Sequence, residues 1–291
     1  MKNRNFGIIS FIILLISVAA VIAERVYLWR NCMSYSTGFY LTGTEAARWG
    51  FNLTVISAIA IQAVIAFISY RSFAKSGESC YENPEKISKK SGRFMGIIQL
   101  AIGIMLMWSA VETFSLMFGD KAPEVLDIIE GILAFVSSFV FLASCVDQLM
   151  KKPVSSKTGY SFVICTLWLG FRAAGVFKDF TTVTTLSQQF LSLMSVLSAL
   201  LFMTNYARLF SGLSKPSTQS KLVVTGTLTV IFSFSSTIPV YISKALDYRI
   251  PTGDFAVDAV DALIGVFALI VLWRVMTVKE ETALKDDISG E

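Results

Sequence analysis

Five ionisable side chains lie inside segments of the chain that are otherwise continuously apolar. They are four acids and one base: Glu112, Glu130, Arg172, Asp258 and Asp261. Ionised groups are costly in hydrocarbon, and they usually face the interior of a helix bundle or a water-filled cavity. Because the acids outnumber the arginine, this set favours a cation, a proton or an amine as its partner.

The depths of three of these groups agree. Glu112, Arg172 and Asp261 each lie five or six residues from the same end of their apolar segments. This corresponds to about 8–9 Å along a helix with a rise of ~1.5 Å per residue. Matched depth is what a buried ion pair or a shared pocket requires. We therefore predict a substrate-binding pocket with these three at its centre and with Asp258 and Glu130 at its mouth.

Residue spacing places the same groups on defined helix faces. Asp258 and Asp261 share one face of the last apolar segment, and Trp168 precedes Arg172 by four residues on another. The seventh apolar segment carries a strip of Ser and Thr together with Pro239. Since proline removes one backbone donor, the carbonyl that it frees is expected to face a cavity.

The elements that must position these groups are transmembrane helices. The chain of 291 residues is 54% hydrophobic and 16% charged, whereas about 25% of the residues in a soluble domain are charged. Apolar runs long enough to cross a bilayer recur along it, without the period-two alternation of a membrane β-barrel. We predict an all-α, polytopic transmembrane helix bundle at 1–275 and a polar cytoplasmic tail at 276–291. Its eight spans would be 6–23, 51–70, 94–118, 128–150, 161–177, 186–207, 222–243 and 255–275.

Basic residues indicate the orientation of the bundle. The first segment and every second connection hold most of the Lys and Arg, including Lys2, Lys89 and Arg274, while the other connections hold fewer, including Arg25. Cytoplasmic loops are enriched in these residues, so both termini are predicted to be cytoplasmic. Residues 24–50 would form an outer segment at the membrane interface. The first apolar run also leaves a second interpretation open, a cleaved signal peptide.

The eight spans divide into two sets of four that run in the same direction. Asp127 and Glu130 open the fourth span in the way that Asp258 and Asp261 open the eighth. Parallel repeats of this kind occur among transporters. The two acidic pairs therefore suggest a weak 4+4 parallel repeat.

The composition removes several kinds of chemistry. The chain contains no histidine, which excludes His-based catalysis and His-ligated metal sites. Its four cysteines have no CxxC spacing, and only Cys32 falls on the predicted outer side, so no disulfide is expected there. Catalytic motifs, phosphate-binding glycine loops and the basic stripe of a nucleic-acid-binding protein are not recognisable. We expect no cofactor, metal ion or nucleic-acid partner, and no motif points to an enzyme.

The start of the chain carries a pattern that resembles a known group. Arg25–Arg30 reads Arg-Val-Tyr-Leu-Trp-Arg, and Ser36-Thr37-Gly38-Phe39 follows it ahead of the second span. This is similar to uncharacterised polytopic membrane proteins of Gram-positive bacteria, over roughly the first fifth of the chain. The turn Ser34-Tyr35-Ser36 lacks the acid that is usual in the group. The resemblance implies a location in the bacterial plasma membrane and carries no function over.

Two functions fit these observations. In the first, the protein binds or transports a small cationic or proton-coupled solute through an acidic pocket that faces outward. In the second, it is a non-transporting sensor, scaffold or assembly partner, and Arg172 pairs with Glu112 or Asp261 only to fix helix packing. The lipid bilayer is the expected partner in both cases.

Overall fold

The computed structural model describes residues 2–32, 40–76, 92–116, 124–150, 156–182, 186–213, 216–246 and 255–277. Within these ranges the chain forms eight helices and no strand. They are α1 (Lys2–Cys32), α2 (Glu45–Ser76), α3 (Gly92–Leu116), α4 (Val125–Leu149), α5 (Ser156–Thr182), α6 (Leu186–Phe210), α7 (Pro216–Ala245) and α8 (Phe255–Thr277). Each helix is long and apolar enough to cross a membrane. The all-helical class with eight spans is confirmed, and the chain has the fold of a multi-pass membrane protein.

Large apolar side chains cover the outside of the bundle. Ile16, Leu53 and Val111, on three different helices, each expose more than half of their surface. An apolar surface of this extent is unfavourable in water and is typical of a protein that contacts lipid. The exterior therefore fits hydrocarbon as its surroundings.

Helices α7 and α8 lie at the centre of the bundle. α8 packs against α7, α3, α1 and α6, and α7 packs against α6, α8, α1 and α2. The remaining large contacts follow chain order, between α3 and α4, α4 and α5, and α5 and α6. Of the eight spans, α7 is the most completely buried. Groups on α7 and α8 are thus the best placed to meet side chains from several helices at once.

Glycines allow close approach at two helix crossings. A Cβ atom on Gly265 of α8 would lie 2.8 Å from a ring carbon of Phe234 on α7. One on Gly159 of α5 would lie 2.5 Å from the backbone of Phe210, where α6 ends. Small residues at such crossings permit the van der Waals contact that holds membrane helices together.

The two ends of the bundle differ in charge. α1 begins beside the end of α8, since a Cβ atom on Gly7 would touch the backbone of Met276. At this end, which we call the basic end, the described charged side chains that are exposed are Arg93, Lys157, Arg208 and Lys221. The opposite end, which we call the acidic end, holds all the described acids except Asp147: Glu24, Glu45, Glu112, Glu124, Asp127, Glu130, Asp258 and Asp261. The described bases of that half are Arg25, Arg30, Arg48, Arg172, Lys178 and Lys244.

The first two helices extend beyond the predicted spans. α1 continues through Arg25 to Cys32, and α2 begins at Glu45, six residues before Phe51. Residues 24–32 and 45–50 of the segment predicted to be interfacial are therefore helical, because backbone hydrogen bonding continues where the apolar run stops. Residues 33–39 and the predicted tail after Thr277 lie outside the described residues.

The two halves of the chain do not pack alike. α2 contacts α1 and α7, whereas its counterpart in the second half, α6, contacts α5, α7 and α8. The packing of the helices therefore gives no support to the parallel repeat that the two acidic pairs suggested.

Candidate functional site

Arg172 of α5 and Asp261 of α8 form a buried ion pair. Arg172 Nη2 donates a hydrogen bond to Asp261 Oδ2 at 2.8 Å, and both side chains are almost fully buried. The guanidinium also lies 5.5 Å from the centroid of the Trp168 ring, one turn earlier on α5. The matched depth of the two groups in the sequence thus corresponds to a direct contact.

Helical spacing turns both groups toward the bundle interior. On α5, Phe162, Cys165, Trp168 and Arg172 are buried at successive turns of one face. On α8, the glycine one turn after Asp261 lets that helix approach α7 closely. The ion pair consequently lies between α5 and α8, one turn from the point where α8 crosses α7.

Asp258 and Tyr241 extend this polar region toward the acidic end. Asp258 lies one turn before Asp261, and the two carboxylates are close enough to interact electrostatically. Tyr241 of α7 lies within electrostatic range of both. Asp258 is only partly buried, whereas Asp261 is buried, so Asp258 is the more accessible of the two from the acidic end.

Glu130 approaches the same region from α4. A Cβ atom on Gly175 of α5 would lie 3.5 Å from Glu130 Oε2. Gly175 follows Arg172 by three residues, which is less than one helical turn. The structure therefore brings three of the four predicted acids, Asp258, Asp261 and Glu130, to the level of Arg172.

Glu112 lies apart from this group, contrary to the prediction. α3 buries Gln99, Leu106 and Ala110, whereas Trp108 and Glu112 are exposed on another face. Among the described residues, the Glu112 carboxylate forms no ion pair. Depth along a helix does not fix the rotation of that helix about its own axis, and this is why the sequence placed Glu112 at the centre.

The hydroxyl strip on α7 is satisfied mainly by its own helix. Thr237 Oγ1 donates to the Ser233 carbonyl at 2.6 Å, and Ser233 Oγ also meets Ser195 Oγ of α6 at 3.0 Å. Pro239 lies inside α7 and cannot donate to the Ser235 carbonyl one turn earlier. The strip therefore serves helix packing, while the proline marks the turn of α7 that is least constrained by backbone hydrogen bonds.

A second buried arginine, Arg25, was placed by the sequence in a connecting segment. In the structure it is completely buried in α1, and its Nη1 donates to the Tyr40 hydroxyl at 3.0 Å. Its guanidinium lies 5.2 Å from the ring centroid of Trp29 and 5.3 Å from that of Phe51. Aromatic faces stabilise a desolvated guanidinium. Two of these partners come from beyond α1, so spacing along α1 could not reveal them.

Metal-ligating side chains are not clustered in the described part of the chain, where no group of three or more acids or cysteines could hold an ion. Cys32, Cys145 and Cys165 are buried free thiols. Cys80 lies outside the described residues.

No protein-family model, curated protein or solved structure matches the chain. The function is therefore inferred from the geometry of the site.

Proposed function

We propose that the protein binds a small cationic or proton-coupled solute at its acidic end and moves it across the membrane. The observation that carries this proposal is the buried Arg172–Asp261 pair with two further carboxylates at its level. Among these four side chains the acids Asp258, Asp261 and Glu130 outnumber the one base, Arg172. In a setting of low dielectric, such an excess favours a cation or a proton.

The pair suggests how binding could be coupled to movement. Arg172 holds Asp261 ionised until a cation or a proton takes its place. Asp258, which is partly exposed, receives the solute first, and Asp261 receives it once Arg172 is released. The face of the Trp168 ring then remains beside the guanidinium and stabilises its charge. Pro239 supplies a position where α7 can bend as the helices rearrange.

In this proposal the basic end of the bundle faces the cytoplasm and the acidic end faces the exterior. The distribution of Lys and Arg over the connections in the sequence supports this orientation, because Lys and Arg are enriched on the cytoplasmic side. The start of α1 and the end of α8 would then both be cytoplasmic. The bacterial plasma membrane is the proposed location, following the resemblance of the Arg25–Phe39 segment.

A non-transporting sensor, scaffold or assembly partner is the second candidate. The Arg172–Asp261 contact favours this second candidate. The pair is 2.8 Å apart with both side chains buried, so it can hold α5 against α8 without ever separating. Under this alternative, Asp258 and Glu130 would have no role in moving a solute.

Flux measurements separate the two candidates. The purified protein is reconstituted in proteoliposomes, and proton movement and uptake are followed with sodium, potassium, methylamine, choline and putrescine. We expect movement with at least one of these, slowed by about tenfold or more in Asp258→Asn and unchanged in Glu112→Gln, the matched acid outside the cluster. Asp258 is chosen because Asp261→Asn would leave Arg172 buried without its partner.

Flux that is absent with every solute, or equal in the two variants, would overturn the transport proposal and favour the structural one. The thermal unfolding of both variants is measured alongside, so that a loss of flux is not confused with a loss of fold.

A further inference from the structure

A second set of polar side chains is buried in the half of the bundle nearest the basic end. They come from α3, α4, α6 and α8, and none is more than 4% exposed: Gln99, Ser144, Gln148, Tyr206 and Arg274. We call them the basic-half polar layer. The sequence counted Arg274 among the basic residues of the cytoplasmic side, at the end of the last predicted span, whereas the structure buries its side chain within α8.

Packing places three members of the layer at a common depth. The rings of Phe141 on α4 and Phe267 on α8 have centroids 6.2 Å apart. Gln148 lies seven residues after Phe141, and Arg274 lies seven residues after Phe267. Each is therefore two helical turns nearer the basic end, on the same face of its helix. Tyr206 of α6 lies close enough to Arg274 to interact with it electrostatically.

The contact between α3 and α4 brings Gln99 and Ser144 to this depth. A Cβ atom on Gly103 of α3 would lie 2.9 Å from the Leu142 side chain on α4. The two helices are antiparallel, so Gln99, one turn earlier on α3, lies opposite the turn of α4 that contains Ser144. Both residues are completely buried.

Several polar atoms of this layer have no hydrogen-bond partner among the described residues. They are both amide atoms of Gln99, the Ser144 hydroxyl and the Tyr206 hydroxyl. A buried polar group without a partner costs about 1–3 kcal/mol in proteins, and hydrocarbon offers no substitute. Three such side chains at one depth, one of them in electrostatic contact with Arg274, leave three donor groups for a ligand to meet: the Gln99 amide nitrogen and the Ser144 and Tyr206 hydroxyls.

The surroundings select an anion as that ligand. Arg274 contributes a fixed positive charge, while hydroxyl and amide groups contribute donors. Of the acids whose side chains the structure describes, only Asp147 lies in this half of the bundle, and it accepts a hydrogen bond from Thr158 Oγ1 at 3.4 Å.

The burial of the layer limits its ligand to a small ion, since none of these side chains is more than 4% exposed. The ring centroids of Phe162 and Phe267 both lie 5.2 Å from that of Tyr206. We propose that the basic-half polar layer binds a small monovalent anion of the halide class, held by Arg274, the Tyr206 hydroxyl and the neighbouring donors. This site is distinct from the acidic pocket, and its occupancy does not depend on which solute binds there.

Thermal unfolding of the full-length protein in detergent tests this site. Chloride is the probe, and sodium gluconate at equal ionic strength is the reference, because gluconate is too large for the layer. We expect chloride to raise the Tm by about 5 °C at saturation. Tyr206→Phe removes only the hydroxyl, so it should lose at least half of that rise while remaining no less stable in gluconate.

Tyr160→Phe is the matched control, since Tyr160 is exposed on α5, and it should keep the full response to chloride. A Tm that is equal in the two salts would show that chloride does not bind the layer, and it would overturn the proposal. A response in Tyr206→Phe as large as in the unmodified protein would overturn it as well, because it would reflect a general effect of salt.

Discussion

Arg172 and Asp261 show how ionised side chains are tolerated between membrane-spanning helices. Each group loses its hydration on burial, and the 2.8 Å hydrogen bond between them recovers part of that loss. The Trp168 ring beside the guanidinium adds a further favourable contact. Since the two charges depend on each other, removal of one leaves the other buried and uncompensated.

The first prediction concerns this dependence. We expect Asp261→Asn to destabilise the protein by about 3–5 kcal/mol, measured by reversible unfolding in mixed micelles. The double variant Arg172→Met with Asp261→Asn should recover much of the loss, because no unpaired charge then remains. Lys178→Gln, which breaks the exposed Glu124–Lys178 pair between α4 and α5, should cost at most about 1 kcal/mol. Equal losses for the buried and the exposed pair would contradict the account.

The sequence predicted part of the site at this scale. The depth of Arg172 and Asp261 in their spans followed from residue counting, and the structure pairs them. Glu112 satisfied the same count but lies on the outward face of α3, since its neighbour Trp108 is 65% exposed. The sequence did not predict the burial of Arg25, because two of its neighbours, Tyr40 and Phe51, come from other parts of the chain.

Among the elements, the helices themselves were predictable and their ends were not. Apolar runs located all eight spans, but α1 extends nine residues past the predicted boundary at Ala23 to Cys32. Hydropathy reports where hydrocarbon is favourable, whereas a helix ends where its backbone hydrogen bonds end. Arg25 and Trp29 were therefore assigned to a loop although they belong to α1.

The second prediction concerns the crossing of α5 and α6. A Cβ atom on Gly159 would lie 2.5 Å from the Phe210 backbone, which cannot move like a side chain. We expect Gly159→Ala to destabilise the protein by about 1–3 kcal/mol through forced separation of the helices. Gly50→Ala in α2 meets no atom within 4 Å, so it should be neutral or stabilise by up to about 1 kcal/mol. Similar unfolding free energies for the two variants would show that α5 and α6 are not in close contact.

For the whole molecule, polar groups are arranged in two layers separated by apolar packing. Acids surround Arg172 near the acidic end, and Arg274 lies with uncharged polar side chains in the basic half. Between them, Phe141, Phe162 and Phe267 form edge-to-face contacts. The sequence predicted the acidic layer because carboxylates stand out in an apolar run. It did not reveal the other layer, since Gln, Ser and Tyr are common in such runs and Arg274 lies near the end of its span.

Cysteine accessibility tests the central proposal, that Asp258 is reached from the exterior, most directly. Asp258→Cys and Lys221→Cys are made separately in a protein whose four native cysteines are replaced. A membrane-impermeant thiol reagent is then added to intact cells and to inverted vesicles. We expect Cys at position 258 to react in intact cells and Cys at position 221 only in inverted vesicles. Reaction at position 258 only from the cytoplasmic side, or from neither side, would contradict the account.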